Sequence, residues 1–519
     1  MLKNMNHLQG VIRGEEILFD TPFGYIFDYL CHNDACKLPL KPVTPHPRGG
    51  NNIVPYLKDL GQAMADPTVP LDESLDSETP AFFTYLGQFI DHDITARTDR
   101  DIEGTVFRIE PADHLTPLAP ETVLDKLKNG RRPNLDLDSV FGDGPSFSPE
   151  SYRTEAYELY VDDNKSDSLK MKLNRPRRSY IDLPRIAGRD GRALIADHRN
   201  DENVMISQLH AAFIAFYNRV YDDLELPSEQ AKYSRARQLT TWAYQYGIIH
   251  DYLPRVCDPL VVADILVNGP LYFGQFTNTI MPLEFSVAGF RFGHSMIRPS
   301  YTINGTTRSI TELLGLSGGR NELLTSDPLR ELKEENVIKW SEFIKINKKP
   351  EPQMARKIDT KIAKGLFTLD QAFGSVSPGS VLAHLTQRNL LRGFLLSLPT
   401  GQSVAKAMRI FPMTDTEIQQ SNPDSENQIL ANSGLLRRTP LWYYVLKEAE
   451  VQQQSMRMGV VGSKIVAETL IGLIKRDPNS YLNNMDDPAV QPNGIKVPFF
   501  KGGAIKSFAN FLKHAEVPL

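Results

Sequence analysis

The segment Phe82-Phe83-Thr84-Tyr85-Leu86-Gly87-Gln88-Phe89-Ile90-Asp91-His92-Asp93 sets the strongest constraint on what this chain can fold into. Phe82, Phe83, Leu86, Phe89 and Ile90 recur at spacings of three and four, the period of a helix with one buried face, and predict a helix from about Pro80. Gln88, Asp91, His92 and Asp93 interrupt that apolar surface, and burying them demands partners. On a helix Gln88, Asp91 and His92 share one side while Asp93 points elsewhere. Such a helix can hold an imidazole and an amide over one ligand while a separate carboxylate binds something behind it. The same pattern also serves a purely structural cluster, with His92 hydrogen-bonded between two aspartates.

Further helical periodicity runs from about Glu202 to Leu224, with Leu209, Ala212, Phe213, Phe216, Tyr217 and Val220 on its apolar side. Another stretch, from about Ser234 to Leu253, is expected to stop before Pro254. Met458 to Ile474 reads as a buried helix from which Lys464 and Glu468 tilt outward. No repeat, low-complexity tract or long alternating pattern is visible, so the expected fold is mainly α with little β structure. Pro39, Pro42, Pro45, Pro47 and Pro55, with Gly49 and Gly50, predict an irregular arm over residues 1–79 that precedes a single helical body over 80–519. Gly142 to Arg185, Asn347 to Gln353 and Thr414 to Asn432 read as loops.

The 519 residues carry 63 acidic and 58 basic side chains, a net charge of −5 that gives no global footprint for nucleic acid. Three cysteines cannot build a disulfide framework in a chain of this size, so the fold must stand on packing or on a bound cofactor. The N-terminus lacks the apolar core of a secretory signal and no run of apolar residues is long enough to span a bilayer, which makes cytoplasmic residence the default. Export by a signal-independent route and the oligomeric state stay open.

Three more clusters share the pattern of polar residues three apart. Ala196-Asp197-His198-Arg199-Asn200-Asp201-Glu202 sets Arg199 and Glu202 at the start of a long helix, where a solvated cap is the ordinary use. Phe290-Arg291-Phe292-Gly293-His294 pairs Arg291 with His294, and a lone histidine among aromatics is commonly a satisfied core residue. Gln387-Arg388-Asn389-Leu390-Leu391-Arg392-Gly393 pairs Asn389 with Arg392.

In this order and at these spacings the four segments resemble the animal-type haem peroxidase superfamily, the group containing myeloperoxidase, lactoperoxidase, peroxidasin and the cyclooxygenases. The resemblance covers roughly residues 50 to 500. Gly87 to Asp93 is similar to the distal-histidine motif, Leu135 to Gly142 to the calcium loop, and Leu209-His210 with Tyr217-Asn218-Arg219 to the long distal helix. Arg356 to Asp359 and Leu398 to Gln402, together with few cysteines, look like a bacterial branch.

The resemblance implies haem b held between His92, the distal base, and His294, the proximal iron ligand. His92 would take a proton from hydrogen peroxide and return it to the departing oxygen. Arg199 would stabilise the charge that develops as the O–O bond breaks, and Gln88 would help hold peroxide or a halide. Asn389 matches the residue that accepts a hydrogen bond from the proximal imidazole, while Arg291 and Arg392 would pair with haem propionates. Asp91 and Glu202 match carboxylates that become ester-linked to haem. Asn203 stands where some members carry a methionine that forms a further, sulfonium link.

Calcium is implied at Asp93, Asp136 and Asp138, with backbone carbonyls of Arg132 and Asn134; ordinary Asx-turn capping by the same aspartates is the alternative. The implied activity is oxidation of bromide, iodide or thiocyanate, in preference to chloride, or of phenolic donors, by hydrogen peroxide through a ferryl intermediate. The rival is a fatty-acid dioxygenase or cyclooxygenase-like oxygenase. Cyclooxygenases carry a radical tyrosine three residues before the proximal histidine, where this chain has Arg291. A haem-binding scaffold without turnover is the third reading, and joint retention of Gln88, His92 and Arg199 speaks against it.

Overall fold

The computed structural model describes residues 21–66, 72–99, 107–146, 148, 151–152, 168–185, 193–315, 332–346, 351–369 and 379–519. Among these the architecture is mainly α, with short strands, as the helical periodicity implied. The helices that position the site are α1 (Val54–Ala63), α2 (Phe82–Ile94), α3 (Val204–Asp223), α4 (Glu229–Gly247), α5 (Leu385–Leu395), α6 (Leu441–Gln453) and α7 (Val460–Arg476).

Helix α2 lacks a side-chain cap, and its first turn is anchored instead by the Phe82 N–H donating to the Phe343 carbonyl at 3.0 Å. Phe82, Phe83, Leu86, Phe89 and Ile90 are all buried, each worth roughly 1.5–3 kcal/mol of apolar burial. Phe89 stacks on Phe213 of α3 with ring centres 4.5 Å apart. At the other end the Asn129 side chain closes the helix, donating from Nδ2 to the Ile94 carbonyl at 2.8 Å and accepting the Ala96 N–H at 2.7 Å. Helix α3 is buried on nearly every side, as a central helix must be, and begins at Asn203, whose Oδ1 accepts the Ile206 N–H at 3.0 Å.

A small sheet runs in the order Arg97–Asp99, Leu127–Asn129, Thr21–Gly24, Met281–Pro282. Thr21 lies opposite Asn129 in the antiparallel pair, and Phe23 opposite Met281 in the parallel one. Behind this sheet Glu284, fully buried, accepts the Ile26 and Phe27 N–H groups at 2.9 and 3.0 Å. Burial pushes its carboxyl up to about 7.

Four local expectations differ from the structure. Residues 54–63 form a helix packed on α5, because Pro55 falls in the first turn, where its missing N–H costs nothing. Helix α4 starts at Glu229, capped by Ser228, and Pro254 does not end the helical path. The chain widens into a π turn, Ile248–Tyr252, and continues as Leu253–Val256 with the proline in the first turn. Most of Thr414 to Asn432 is helical, Asp415–Gln419 being started by a reciprocal Thr414–Glu417 capping box. Glu468 does not tilt outward: it is 2% exposed and accepts the Tyr272 and Phe273 N–H groups. Of the predicted loops, Asn347 to Pro350 and much of Gly142 to Arg185 lie outside the described residues, as do residues 1–20 of the arm.

Candidate active site

Two adjoining chambers lie between α2 and the segment Gly289–His294. Asp91, Arg291 and Arg388 border both. The first also has Thr95, Arg199, Asn389 and Arg392 in its wall; the second has Gln88, Glu202 and His294. Residues from four separated segments therefore meet at these two adjoining chambers, and most of the predicted site residues are among them.

On the α2 side, Gln88 and Asp91 face the cavity one turn apart. The Asp91 carboxylate accepts from the Thr95 hydroxyl at 2.9 Å. His92 is fully buried and, unlike its neighbours, borders neither chamber. One residue on from Asp91 the side chain turns toward Asn200, in the turn ahead of α3, so His92 shares the cavity-facing side less closely than the sequence spacing implied. Its Nδ1 lies 2.9 Å from Asn200 Oδ1, and Asn200 Nδ2 lies 3.0 Å from Nδ1 of His210, whose ring burial pushes down to about 3 and so keeps neutral.

Arg199 does not present a bare cation to the cavity. Its Nε and Nη2 donate to Asp197 at 3.2 and 2.9 Å, and Nη2 also donates to the His92 carbonyl at 2.8 Å. Burial holds its pKa below the usual arginine range, against the opposing pull of Asp91 and Glu202.

On the opposite side, the tight turn Gly289–His294 is locked by the Trp442 indole N–H donating to the Arg291 carbonyl at 3.1 Å and by Arg291 Nε donating to the Ser286 carbonyl at 3.0 Å. His294 Nδ1 lies 3.0 Å from Asn389 Nδ2. In this arrangement the amide donates, whereas the sequence reading expected it to accept. A half-turn of the amide brings Oδ1 to an Nδ1–H, which is the state that leaves the Nε2 lone pair available to a metal. Arg392 donates to the Phe107 carbonyl at 3.3 Å.

Sequence reasoning assigned no role to Arg388. It is 5% exposed, and its Nη1 is buried with no hydrogen-bond partner among the described residues. Burial, and then the neighbouring Arg291, push its guanidinium down to about 9, with Glu202 opposing. The signal was its spacing of four from Arg392 on a helix otherwise lined by Leu385, Leu391 and Phe394. Asn200 and Arg131 were likewise missed, because each acts through a partner distant in sequence.

Behind α2, the fully buried Asp93 accepts from the Leu137 and Ser139 N–H groups and the Ser139 hydroxyl, the last at 2.8 Å. Asp93 therefore does point away from the cavity and toward the loop holding Asp136 and Asp138. Leu135 and Leu137 adopt the left-handed region (φ 53° and 60°), a strained choice for leucine that the surrounding packing must hold. Burial and mutual repulsion raise the Asp93 carboxyl well above its ordinary range and Asp136 to about 6. Asp138 accepts from Arg131, and the Arg132 side chain lies 3.9 Å from Asp143. No group of three or more His, Cys, Asp or Glu among the described residues is arranged as a metal-binding shell.

Fold and site together define a mainly helical protein in which charged and polar side chains from separate helices line two adjoining chambers. A family model described as animal haem peroxidase matches residues 133–374. A peroxidase-like protein of Margaritifera margaritifera is 25% identical over 264 residues, 43% of this chain and 32% of that one, so the match spans about a third of that relative. Peroxidase A from Dictyostelium discoideum has the same fold, with a TM-score of 0.61 at 15% identity over 99% of this chain and 98% of that one. A fatty acid alpha-dioxygenase of Oryza sativa follows at a TM-score of 0.54 and 13% identity, over 89% of this chain and 76% of that one. The family model covers just under half of this chain, and these likenesses together support the animal-type haem peroxidase superfamily.

Proposed function

We propose that the chain is a haem peroxidase that uses hydrogen peroxide to oxidise small anions, bromide, iodide and thiocyanate in preference to chloride, or phenolic donors. The observation that carries this reading is the pair of adjoining chambers, sharing Asp91, Arg291 and Arg388, that bring Arg199, Asn389 and Arg392 on one side next to Gln88, Glu202 and His294 on the other.

The residues present fit haem. Arg388 holds a buried guanidinium nitrogen without a hydrogen-bond partner among the described residues, and Arg291 and Arg392 border the same space, as a group bearing carboxylates requires. Gly293, beside His294, has open space where a Cβ would stand. His294 would bind the iron through Nε2, with Asn389 setting its tautomer. Arg291 and Arg392 would hold the propionates, and Asp91 and Glu202 would form ester links. When bound, haem supplies the two-electron oxidising capacity. The chain's own part is proton handling and charge placement: His92 Nε2 takes a proton from peroxide and returns it to the leaving oxygen, while Arg199 and Gln88 orient the peroxide.

The proposal extends to calcium at Asp93, Asp136 and Asp138 with the Arg132 and Asn134 carbonyls. Repulsion among buried carboxylates supports a cation there, although Arg131 already satisfies part of Asp138. Chelation should lower the thermal midpoint and calcium should restore it.

A fatty-acid dioxygenase is the second reading, favoured by Tyr85 and Tyr252, which border the same chamber as His294 and could carry a phenoxyl radical. Phe290, Arg291 and Phe292 offer no phenol beside His294. The purified protein should show a Soret band, retain haem in acidified solvent, and oxidise bromide or thiocyanate with peroxide. Stoichiometric oxygen uptake with a fatty acid, and no peroxide-dependent turnover, would overturn the choice.

A further inference from the structure

We propose that Asn203 sets the hydrogen-bonding polarity of Gln88 and is thereby a specificity-determining residue for small anions in the chamber. The inference rests on the haem peroxidase reading for its substrate class, but its geometry does not.

Asn203 is 1% exposed and stands immediately before α3. Its Oδ1 accepts the Ile206 N–H at 3.0 Å. A backbone N–H can only donate, so the atom that meets it must be the amide oxygen. The amide nitrogen is then the atom that faces Gln88, and it donates to Gln88 Oε1 at 3.3 Å. The orientation of Asn203 is thus forced by the cap, and the orientation of Gln88 is forced by Asn203. Asn200 differs: both of its neighbours are imidazole Nδ1 atoms, which accept or donate according to tautomer, so its amide can stand either way.

With Oε1 engaged, Gln88 is left with its two N–H donors, and Nε2 makes no hydrogen bond among the described residues. Gln88 borders the chamber alongside Arg291 and Arg388. A donor pair beside two guanidinium groups recognises an anion and disfavours a cation. Were the amide reversed, the same side chain would present a carbonyl oxygen and repel the anion. The consequence is that a residue bordering neither chamber determines the sign of the contact made by one that does.

Substitutions at Asn203 separate this role from helix capping. Asn203→Ser keeps a cap acceptor but is too short to reach Gln88. Asn203→Asp keeps the cap and turns the Gln88 N–H groups toward itself. Potassium thiocyanate titrated into the haem-loaded protein, followed by the Soret shift, should bind about five- to tenfold more weakly to the Ser variant and more weakly still to the Asp variant, with thermal midpoints close to wild type. In a Gln88→Leu background neither substitution should weaken binding further. Unchanged thiocyanate affinity in Asn203→Ser, or an equal loss from Asn203→Asp with and without Gln88, overturns the proposal, the latter because it would reflect added charge alone.

A haem-free measurement keeps the two readings apart. In protein labelled selectively with 15N-glutamine, Asn203→Asp should move the Gln88 side-chain NH2 resonances as they gain a carboxylate acceptor. Unmoved resonances overturn the role of Asn203 whatever the cofactor, whereas absence of a Soret band in wild type overturns the haem reading and leaves this result standing.

Discussion

Arg131 and Asp197 form an ion pair in which neither side chain has any solvent exposure. Arg131 also binds Asp138 at 2.8 Å, and Asp197 also binds Arg199 at 2.9 Å. A continuous buried chain of charges therefore joins the acidic loop behind α2 to the arginine in the cavity wall. A buried guanidinium is tolerated only because two carboxylates flank it, and each carboxylate depends on it in turn.

Arg131→Met should accordingly cost about 3–5 kcal/mol of stability, since it takes the buried guanidinium away from both Asp138 and Asp197. Urea unfolding measures this directly. A loss under about 1 kcal/mol would mean that the chain of charges behaves like a surface network.

His294→Ala should abolish haem retention and the Soret band, whereas His92→Ala should keep the band but slow reaction with peroxide about a hundredfold or more in stopped flow. Normal peroxide kinetics in the latter variant would remove His92, whose ring borders neither chamber, from the mechanism.

Arg388→Leu should move two measurements in opposite directions. Removing a buried guanidinium whose Nη1 has no hydrogen-bond partner among the described residues should stabilise the haem-free protein by roughly 1–3 kcal/mol, while haem should dissociate faster from the variant. Lower stability in the haem-free state together with unchanged haem release would show that Arg388 serves packing alone.

Glu284 predicts a pH dependence. Its folded carboxyl titrates at about 7 against an ordinary 4.5, so between those values the folded chain holds a proton that the unfolded chain has released. Its contribution to stability is therefore full below the lower value, falls as pH rises through the window, and levels off above it. Glu284→Gln removes the titration, so the stability of the variant relative to wild type should improve by roughly 3 kcal/mol between about pH 4.5 and about pH 8. Taking the difference cancels the buried histidines, which titrate in the opposite sense. A difference that does not change with pH would show that the carboxyl ionises freely in the fold.

Local periodicity made the mainly helical fold legible, and spacings of three and four marked the polar groups of α2 and of the segments around Arg199, His294 and Asn389. Where local reading failed, the cause was a residue with two uses. Pro55 and Pro254 look like breaks but sit in first turns, and Thr414 looks like a loop residue but opens a helix. Glu468 looks like a solvated charge, yet two backbone N–H groups far along the chain hold it in the core.

By itself the sequence determined which faces are apolar, where helices run, and which residues carry acid, base or cation chemistry, because those properties depend on neighbours within a turn or two. Which faces meet was decided only by the tertiary structure. His92 finds Asn200 at a separation of 108 residues, Asn389 finds His294 at 95, and Asn203 finds Gln88 at 115. A periodic pattern specifies that a polar group must be satisfied, but the partner that satisfies it is selected by packing of the whole core, and that selection turned Arg199 toward the His92 carbonyl and left Arg388 facing the cavity.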